Sequence, residues 1–328
     1  MVTAFSPLSG PVGTSVAISG FNFDPVPTNN IVYAGAVRAT VSTATPTSLN
    51  ITIPVGATYD PISVTTANLT GFSSQPFLVT FTGGGSGFVA GSFASKVNYT
   101  TGANPQSVYS SDFDGDGKPD IAVVNANANI LSIHRNTGSS GTISLETKLD
   151  LGTGVFPLSV CAGDVDGDGK PDIVVANYNS NTVSIFKNSS TIGTLSFAAR
   201  LDFPVGSKPA YIGIADLDLD GKSDLAVANS ISNTVSFVKN ISTIGNISFA
   251  PKVDFATNTD PENIVLRDFD GDQITDMAVV NAGSNNVSVF RNTTTGNILS
   301  FASTWIFLRV MPRTPFQLPT WTETGSQI

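Results

Sequence analysis

A nine-residue acidic stretch occurs four times at a constant interval of 52 residues. It begins at Asp112 as DFDGDGKPD, at Asp164 as DVDGDGKPD, at Asp216 as DLDLDGKSD and at Asp268 as DFDGDQITD. A fixed period of this length marks a repeat architecture, in which each unit buries its apolar face only by stacking on a neighbour. The second unit sets out the pattern. An apolar strand at 159–162 precedes the acidic loop at 164–172, an apolar strand at 173–176 follows it, and a polar turn at 178–181 leads to an alternating strand at 182–186. A fourth strand is expected over 195–203, broken at 198–200. Four short antiparallel strands per unit and no helical period predict an all-β chain built of propeller blades.

The acidic stretches carry the chemistry. Each places carboxylates at loop positions 1, 3, 5 and 9: Asp112, Asp114, Asp116 and Asp120; Asp164, Asp166, Asp168 and Asp172; Asp216, Asp218, Asp220 and Asp224; Asp268, Asp270, Asp272 and Asp276. Calcium takes about six to eight oxygens at roughly 2.3–2.6 Å, and alternate residues of a tight loop turn toward one centre. The backbone carbonyl at position 7 (Lys118, Lys170, Lys222 and Ile274) is the expected further ligand. Gly117, Gly169 and Gly221 at position 6 permit the sharp turn. Without an ion, carboxylates this close raise one another's pKa. Two loops depart from the pattern: Leu219 replaces the glycine at position 4 of the third, and Gln273 that at position 6 of the fourth. The fourth of the four expected calcium sites should therefore be the weakest.

The charge balance agrees. There are 25 acidic and 16 basic residues, and 16 of the acids lie in the loops. The net charge of −9 is thus concentrated at the expected metal sites. No basic patch is visible, which argues against nucleic acid as a partner. Cys161 and His134 are single residues of their type, so the chain can form no internal disulfide, zinc cluster or Cys-His dyad. Cys161 reads as a core residue and His134 as structural. No nucleophile is paired with a base, and the chain is expected not to be an enzyme. No apolar run reaches the roughly 18 residues of a membrane-spanning helix. The start, Met-Val-Thr-Ala-Phe, lacks the basic and apolar regions of a signal peptide, and the chain is expected to be a piece of a longer secreted or surface protein.

Residues 1–82 have a different texture. Strand-like runs at 15–19, 31–33, 36–41, 48–53, 62–67 and 77–81 alternate with proline and glycine turns, as in a β-sandwich. Val16, Ile18, Leu49, Ile51 and Ile53 are expected to point inward. Residues 83–92, GGGSGFVAGS, have linker composition.

Both halves resemble known families. FSPLSGPVGT from Phe5, ISGFNF from Ile18 and IVYAGAV from Ile31 resemble an IPT/TIG domain, an immunoglobulin-like module. The units across 93–300 resemble FG-GAP or VCBS-type repeats of integrin-like β-propellers. That second resemblance implies an Asp-rich loop between the first two strands of each blade, calcium held there, and a protein of the cell surface or secreted space. It also implies rings of about seven blades, against four units here. The reading is a non-enzymatic calcium-binding adhesion or interaction module with a protein or glycan ligand. The alternatives are a lectin-like module and an accessory domain of a larger secreted enzyme. The outer-strand pattern recurs before the first loop, at 93–99, and ring closure is expected to pair that segment with the fourth unit. An unclosed ring favours self-association.

Two further sets repeat faithfully: Asn125, Asn177, Asn229 and Asn281 after the second strand, and Asn136, Asn188, Asn240 and Asn292 after the third. Both are expected to bond local backbone and hold turns. Residues 301–328 lose the pattern and hold both tryptophans of the chain. A fifth loop is due at 320. TWTETGSQI can be encoded by codons that, regrouped by one base, read Asp-Leu-Asp-Gly-Asp-Gly-Lys-Pro-Asp, and a shifted reading frame is therefore expected in the coding DNA.

Overall fold

Alternation of apolar and polar residues first closes the N-terminal sandwich. The computed structural model describes residues 2–67, 69–80, 94–139, 141–302 and, for the backbone alone, 305–308. The first nine strands are β1 (Val2–Ser6), β2 (Ser9–Gly10), β3 (Ser15–Gly20), β4 (Ile31–Ala34), β5 (Val37–Thr45), β6 (Ser48–Thr52), β7 (Pro61–Thr66), β8 (Leu69–Pro76) and β9 (Leu78–Val79). Their order is β1-β3-β6-β5-β4-β7-β8, with β2 and β9 paired separately in parallel. β5 links the two layers, because its start pairs with β4 and its remainder with β6. Val16, Ile18, Leu49, Ile51 and Ile53 all point into the core, as their alternation requires. The expected linker at 83–92 lies outside the described residues.

Four four-stranded sheets follow. The first strands of the blades are β10 (Pro105–Ser111), β14 (Pro157–Gly163), β18 (Pro209–Ala215) and β22 (Pro261–Arg267). The second are β11 (Asp120–Asn125), β15 (Asp172–Asn177), β19 (Asp224–Asn229) and β23 (Asp276–Asn281). The third are β12 (Ile130–His134), β16 (Thr182–Phe186), β20 (Thr234–Val238) and β24 (Asn286–Phe290). The fourth are β13 (Leu149–Gly152), β17 (Leu201–Pro204), β21 (Val253–Ala256) and β25 (Trp305–Leu308). Every neighbouring pair is antiparallel, and the acidic loop always joins the first strand to the second. The first strands stand side by side, β10 to β14 to β18 to β22.

Three expectations need correction. The fourth strand of the second blade is only Leu201–Pro204, because 187–198 instead forms a hairpin excursion closed by Asn188 opposite Phe197 and Thr191 opposite Thr194. The out-of-pattern segment is not wholly outside the blades: Trp305–Leu308 pairs with β24 in the register that β21 takes on β20. Strand pairing uses backbone groups, so an altered sequence at the right spacing still fills the edge. The fourth blade therefore takes its last strand from 305–308 and not from 93–99.

A buried polar chain ties the strands of each blade. Asn177 donates to the Ser184 hydroxyl at 2.8 Å, and Ser184 donates to Asp202 at 2.6 Å, linking second, third and fourth strands. Asn125–Ser132–Asp150 and Asn229–Ser236–Asp254 repeat it. The Asn177 side chain also accepts the Gly154 N–H at 3.0 Å. That approach leaves no room for a side chain: a Cβ on Gly154 would sit 2.7 Å from Asn177 Cγ, whereas Gly152 has open space. Gly154→Ala is expected to cost about 1–3 kcal/mol in urea unfolding, as overpacking does, and Gly152→Ala to stay within about 0.5 kcal/mol of the parent.

Candidate metal centre

Each loop folds its carboxylates inward by giving them backbone N–H partners. In the first loop Asp112 accepts Gly117 N–H at 3.0 Å, Asp114 accepts Asp116 N–H at 3.1 Å, and Asp116 accepts Lys118 N–H at 3.0 Å. Asp120, fully buried at the start of β11, accepts Phe113 N–H at 3.0 Å and Asn136 N–H at 2.8 Å. The later loops repeat these bonds, with Asp164, Asp216 and Asp268 at position 1 and Asp172, Asp224 and Asp276 at position 9. Two chain positions pass through the left-handed region to make the turn. Position 6 has φ +86° at Gly117 and +69° at Gln273, and position 4 has φ +72° at Gly115 and +64° at Leu219. Leu219 and Gln273 therefore hold a conformation that costs a residue with a Cβ about 1–2 kcal/mol.

The outcome is a carboxylate triad in every loop. Oxygens of Asp112, Asp114 and Asp120 lie within 4.8 Å of one another, as do those of Asp164, Asp166 and Asp172; Asp216, Asp218 and Asp224; and Asp268, Asp270 and Asp276. The position-5 carboxylates Asp116, Asp168, Asp220 and Asp272 stand outside these triads. Each accepts the backbone N–H of position 7, at Lys118, Lys170, Lys222 or Ile274. Lys170 and Lys222 also donate through Nζ to the Ser190 and Ser242 carbonyls at 2.9 Å, tying loop to hairpin excursion.

A feature missed in the sequence is one basic side chain per loop. Arg135 binds Asp114 and Asp116, Lys187 binds Asp166 and Asp168, Lys239 binds Asp218 and Asp220, and Arg291 binds Asp270 and Asp272. These residues follow the loop's first aspartate by a constant 23 positions. The signal was present but alternates between Arg and Lys. Four carboxylates still outnumber the cations paired with them at each loop, Lys118 beside Asp116 in the first included.

That excess is buried. Burial raises Asp112 to about 6, Asp120 to about 7, Asp164 and Asp216 to about 7, and Asp224 to about 8, with neighbouring carboxylates adding to the shift. Asp172 and Asp276 shift upward for the same cause. In the more open fourth loop the Arg291 hydrogen bond instead lowers Asp270. Asp112 Oδ1 and Asp216 Oδ1 are buried with no hydrogen-bond partner. An orphaned carboxylate oxygen is costly unless a cation meets it, so this donor set fits a hard divalent ion.

The chain matches the model of the FG-GAP-like repeat over residues 112–175, 164–227 and 216–279, and that of the IPT/TIG domain over 1–100. It belongs to the FG-GAP-like repeat family, behind an IPT/TIG domain. No curated protein matches this FG-GAP-like chain. Solved structures resemble it at low identity. A protein from Lactobacillus plantarum is 15% identical, with 90% of this chain and 83% of that chain covered and a TM-score of 0.46. An auxiliary nutrient binding protein from Bacteroides ovatus is 14% identical, with coverage of 92% and 85% and a TM-score of 0.32. A rhamnogalacturonan lyase from Bacillus licheniformis is 14% identical, with coverage of 88% and 63% and a TM-score of 0.37. Their activities do not carry over to this chain.

The IPT/TIG domain rests on the acidic loops. Asp112 N–H donates to the Ala36 carbonyl at 2.8 Å, and a Cβ on Gly169 would meet Ile31. Tyr33 is pushed upward by burial and then by the charge of Asp112. Between the domain and the first strands lies a cavity of about 320 Å³, lined in part by Tyr33, Tyr109 and Tyr211. Cys161 also lines it and is buried, and His134 is buried with Nδ1 3.2 Å from the Glu146 carbonyl. Among the described residues no helix is long and apolar enough to cross a membrane.

The raised carboxyls give the metal-free protein a defined pH response. Their unfolded value is near 3.8 and the folded values reach about 6 to 8. The folded state therefore holds protons that the unfolded state has released, and stability falls as pH rises through that window. Urea midpoints in excess chelator are expected to fall from pH 5 to pH 8, and calcium is expected to abolish the fall.

Proposed function

We propose that this chain is a calcium-stabilised interaction module of a secreted or cell-surface protein, without enzymatic activity of its own. The observation that carries the reading is the carboxylate triad repeated in four loops, largely buried in the first three, with unpartnered oxygens on Asp112 and Asp216. The triads at positions 1, 3 and 9 would hold the ion, with position 5 and the position-7 carbonyl completing the oxygen shell. Bound calcium supplies positive charge to groups that burial otherwise drives toward protonation. It is structural: it fixes the turn between first and second strands and stiffens the loops on which the IPT/TIG domain sits. Ligand binding then falls to the rigid surface so formed. Extracellular calcium modules work at affinities of about 10⁻⁴–10⁻³ M, which suits an open loop carrying its own basic side chain.

Calorimetric titration is expected to find up to four calcium ions, with the weakest site in the fourth loop. A site at 100 times its Kd adds about 2.7 kcal/mol, and each kcal/mol shifts the melting midpoint of a domain this size by about 2–4 °C. Chelator should therefore lower the midpoint by several degrees, and a midpoint indifferent to chelator would refute the reading. The Asp216→Asn protein should lose one site.

A second reading, a lectin-like module, is favoured by the cavity between the domains. Tyrosine rings stack on sugar faces, and their hydroxyls supply hydrogen bonds. Binding to a glycan array is expected to fall when Tyr211 becomes Ala. An array with no signal would leave protein as the ligand class.

A further inference from the structure

The three blade-to-blade joints follow one rule. The leading face of one blade, built from Phe113, Ala122, Val124, Leu131 and Ile133, packs on Val160, Ile173, Val175 and Phe186 of the next. Equivalent residues make the second and third joints. Each joint is also pinned by an amide: Asn188 donates to the Phe113 carbonyl at 2.9 Å, Asn240 to Val165 at 2.8 Å, and Asn292 to Leu217 at 2.8 Å.

Both halves of this joint stand open at the two ends of the array. On the leading face of the fourth blade, Phe269 is 51% exposed, whereas Phe113, Val165 and Leu217 are 2%, 3% and 1% exposed. Val280 is 45% exposed, whereas Val124, Ala176 and Ala228 are fully buried. On the trailing face of the first blade, Val108 is 65% exposed, against 5%, 1% and 3% for Val160, Ile212 and Ile264. Asn136 bonds the Pro119 carbonyl as its counterparts bond Pro171, Ser223 and Thr275, but among the described residues it has no second acceptor across a joint. Among the described residues the Phe269 carbonyl has no asparagine donor such as those that Phe113, Val165 and Leu217 have.

We propose that the leading face of the fourth blade binds the trailing face of the first blade of a second copy of this chain. The new joint repeats the internal ones: Phe269 and Val280 cover Val108, and the partner's Asn136 donates to the Phe269 carbonyl. The segment before the first blade completes it. Tyr99 lies on that blade through its hydroxyl bond to the Ile143 carbonyl, and Gly102 N–H bonds Asn125 at 2.9 Å as Gly154 N–H bonds Asn177. Residues 97–100 thus occupy the place of an outer strand from a preceding blade, yet among the described residues they pair with no strand. In the joint they take the edge of β24 that residues 305–308 fill in the single chain. A contact between two different faces is heterologous, and it closes into a ring or continues as an open array.

The test is the mass of the full chain in solution, by light scattering and sedimentation across a range of concentrations. The parent is expected to associate, and Phe269→Glu and Val108→Glu each to weaken association at least about tenfold, as loss of a central anchor does. An equimolar mixture of the two variants is expected to regain a dimer and nothing larger, because each retains the half that the other lacks. That recovery also shows both variants to be folded. A parent that stays monomeric, a Phe269→Glu protein that associates like the parent, or a mixture that fails to recover would each overturn the proposal.

Discussion

The carboxylate at loop position 9 holds the array together. Asp120, Asp172, Asp224 and Asp276 are the first residues of the second strands, and all are buried. One oxygen takes the N–H of loop position 2 and so closes the turn. The other takes the N–H of the asparagine that ends the third strand. In three blades that asparagine reaches the preceding blade. Loop closure, strand alignment and blade stacking therefore meet at one buried acid. An anion so placed is tolerable because its hydrogen bonds are charge-assisted and because the triad leaves room for a cation.

The basic side chain beside each loop tempers this arrangement. Without metal, Arg135 and its counterparts neutralise part of the charge at positions 3 and 5. The fourth loop shows the balance shifted: its acids are the most exposed, and its arginine holds Asp270 below the ordinary carboxylate range. The same blade also leaves Phe269 and Val280 exposed, unlike their counterparts in the earlier blades.

Much of this was legible in the chain. The constant interval identified the blades and the two glycine replacements the strained positions, whereas the aspartates suggested four carboxylates per centre where the structure gathers three. Alternation in residues 15–53 identified the inward set of the sandwich. What escaped had physical causes. The asparagines after the third strand were expected to act locally; they do so, as when Asn188 Oδ1 accepts the Ser190 N–H, but Asn188 Nδ2 reaches 75 residues back to the preceding blade, a distance that spacing alone does not reveal. The strand at 305–308 was hidden because its side chains break the pattern while its backbone keeps the register. The seating of the IPT/TIG domain on the loops depends on surface shape, which leaves no periodic mark. The basic residues were visible but overlooked, since an acid cluster directs attention to ions from solvent before neighbours in the chain.

Uniform joints have an evolutionary corollary. Because every blade meets its neighbour through equivalent positions and the same asparagine bond, removal or duplication of one whole unit in the gene re-forms a joint of the same type, with apolar side chains of different size brought together. Such an array can lengthen or shorten by recombination with only local repacking, and selection can act on the number of blades as well as on their surfaces.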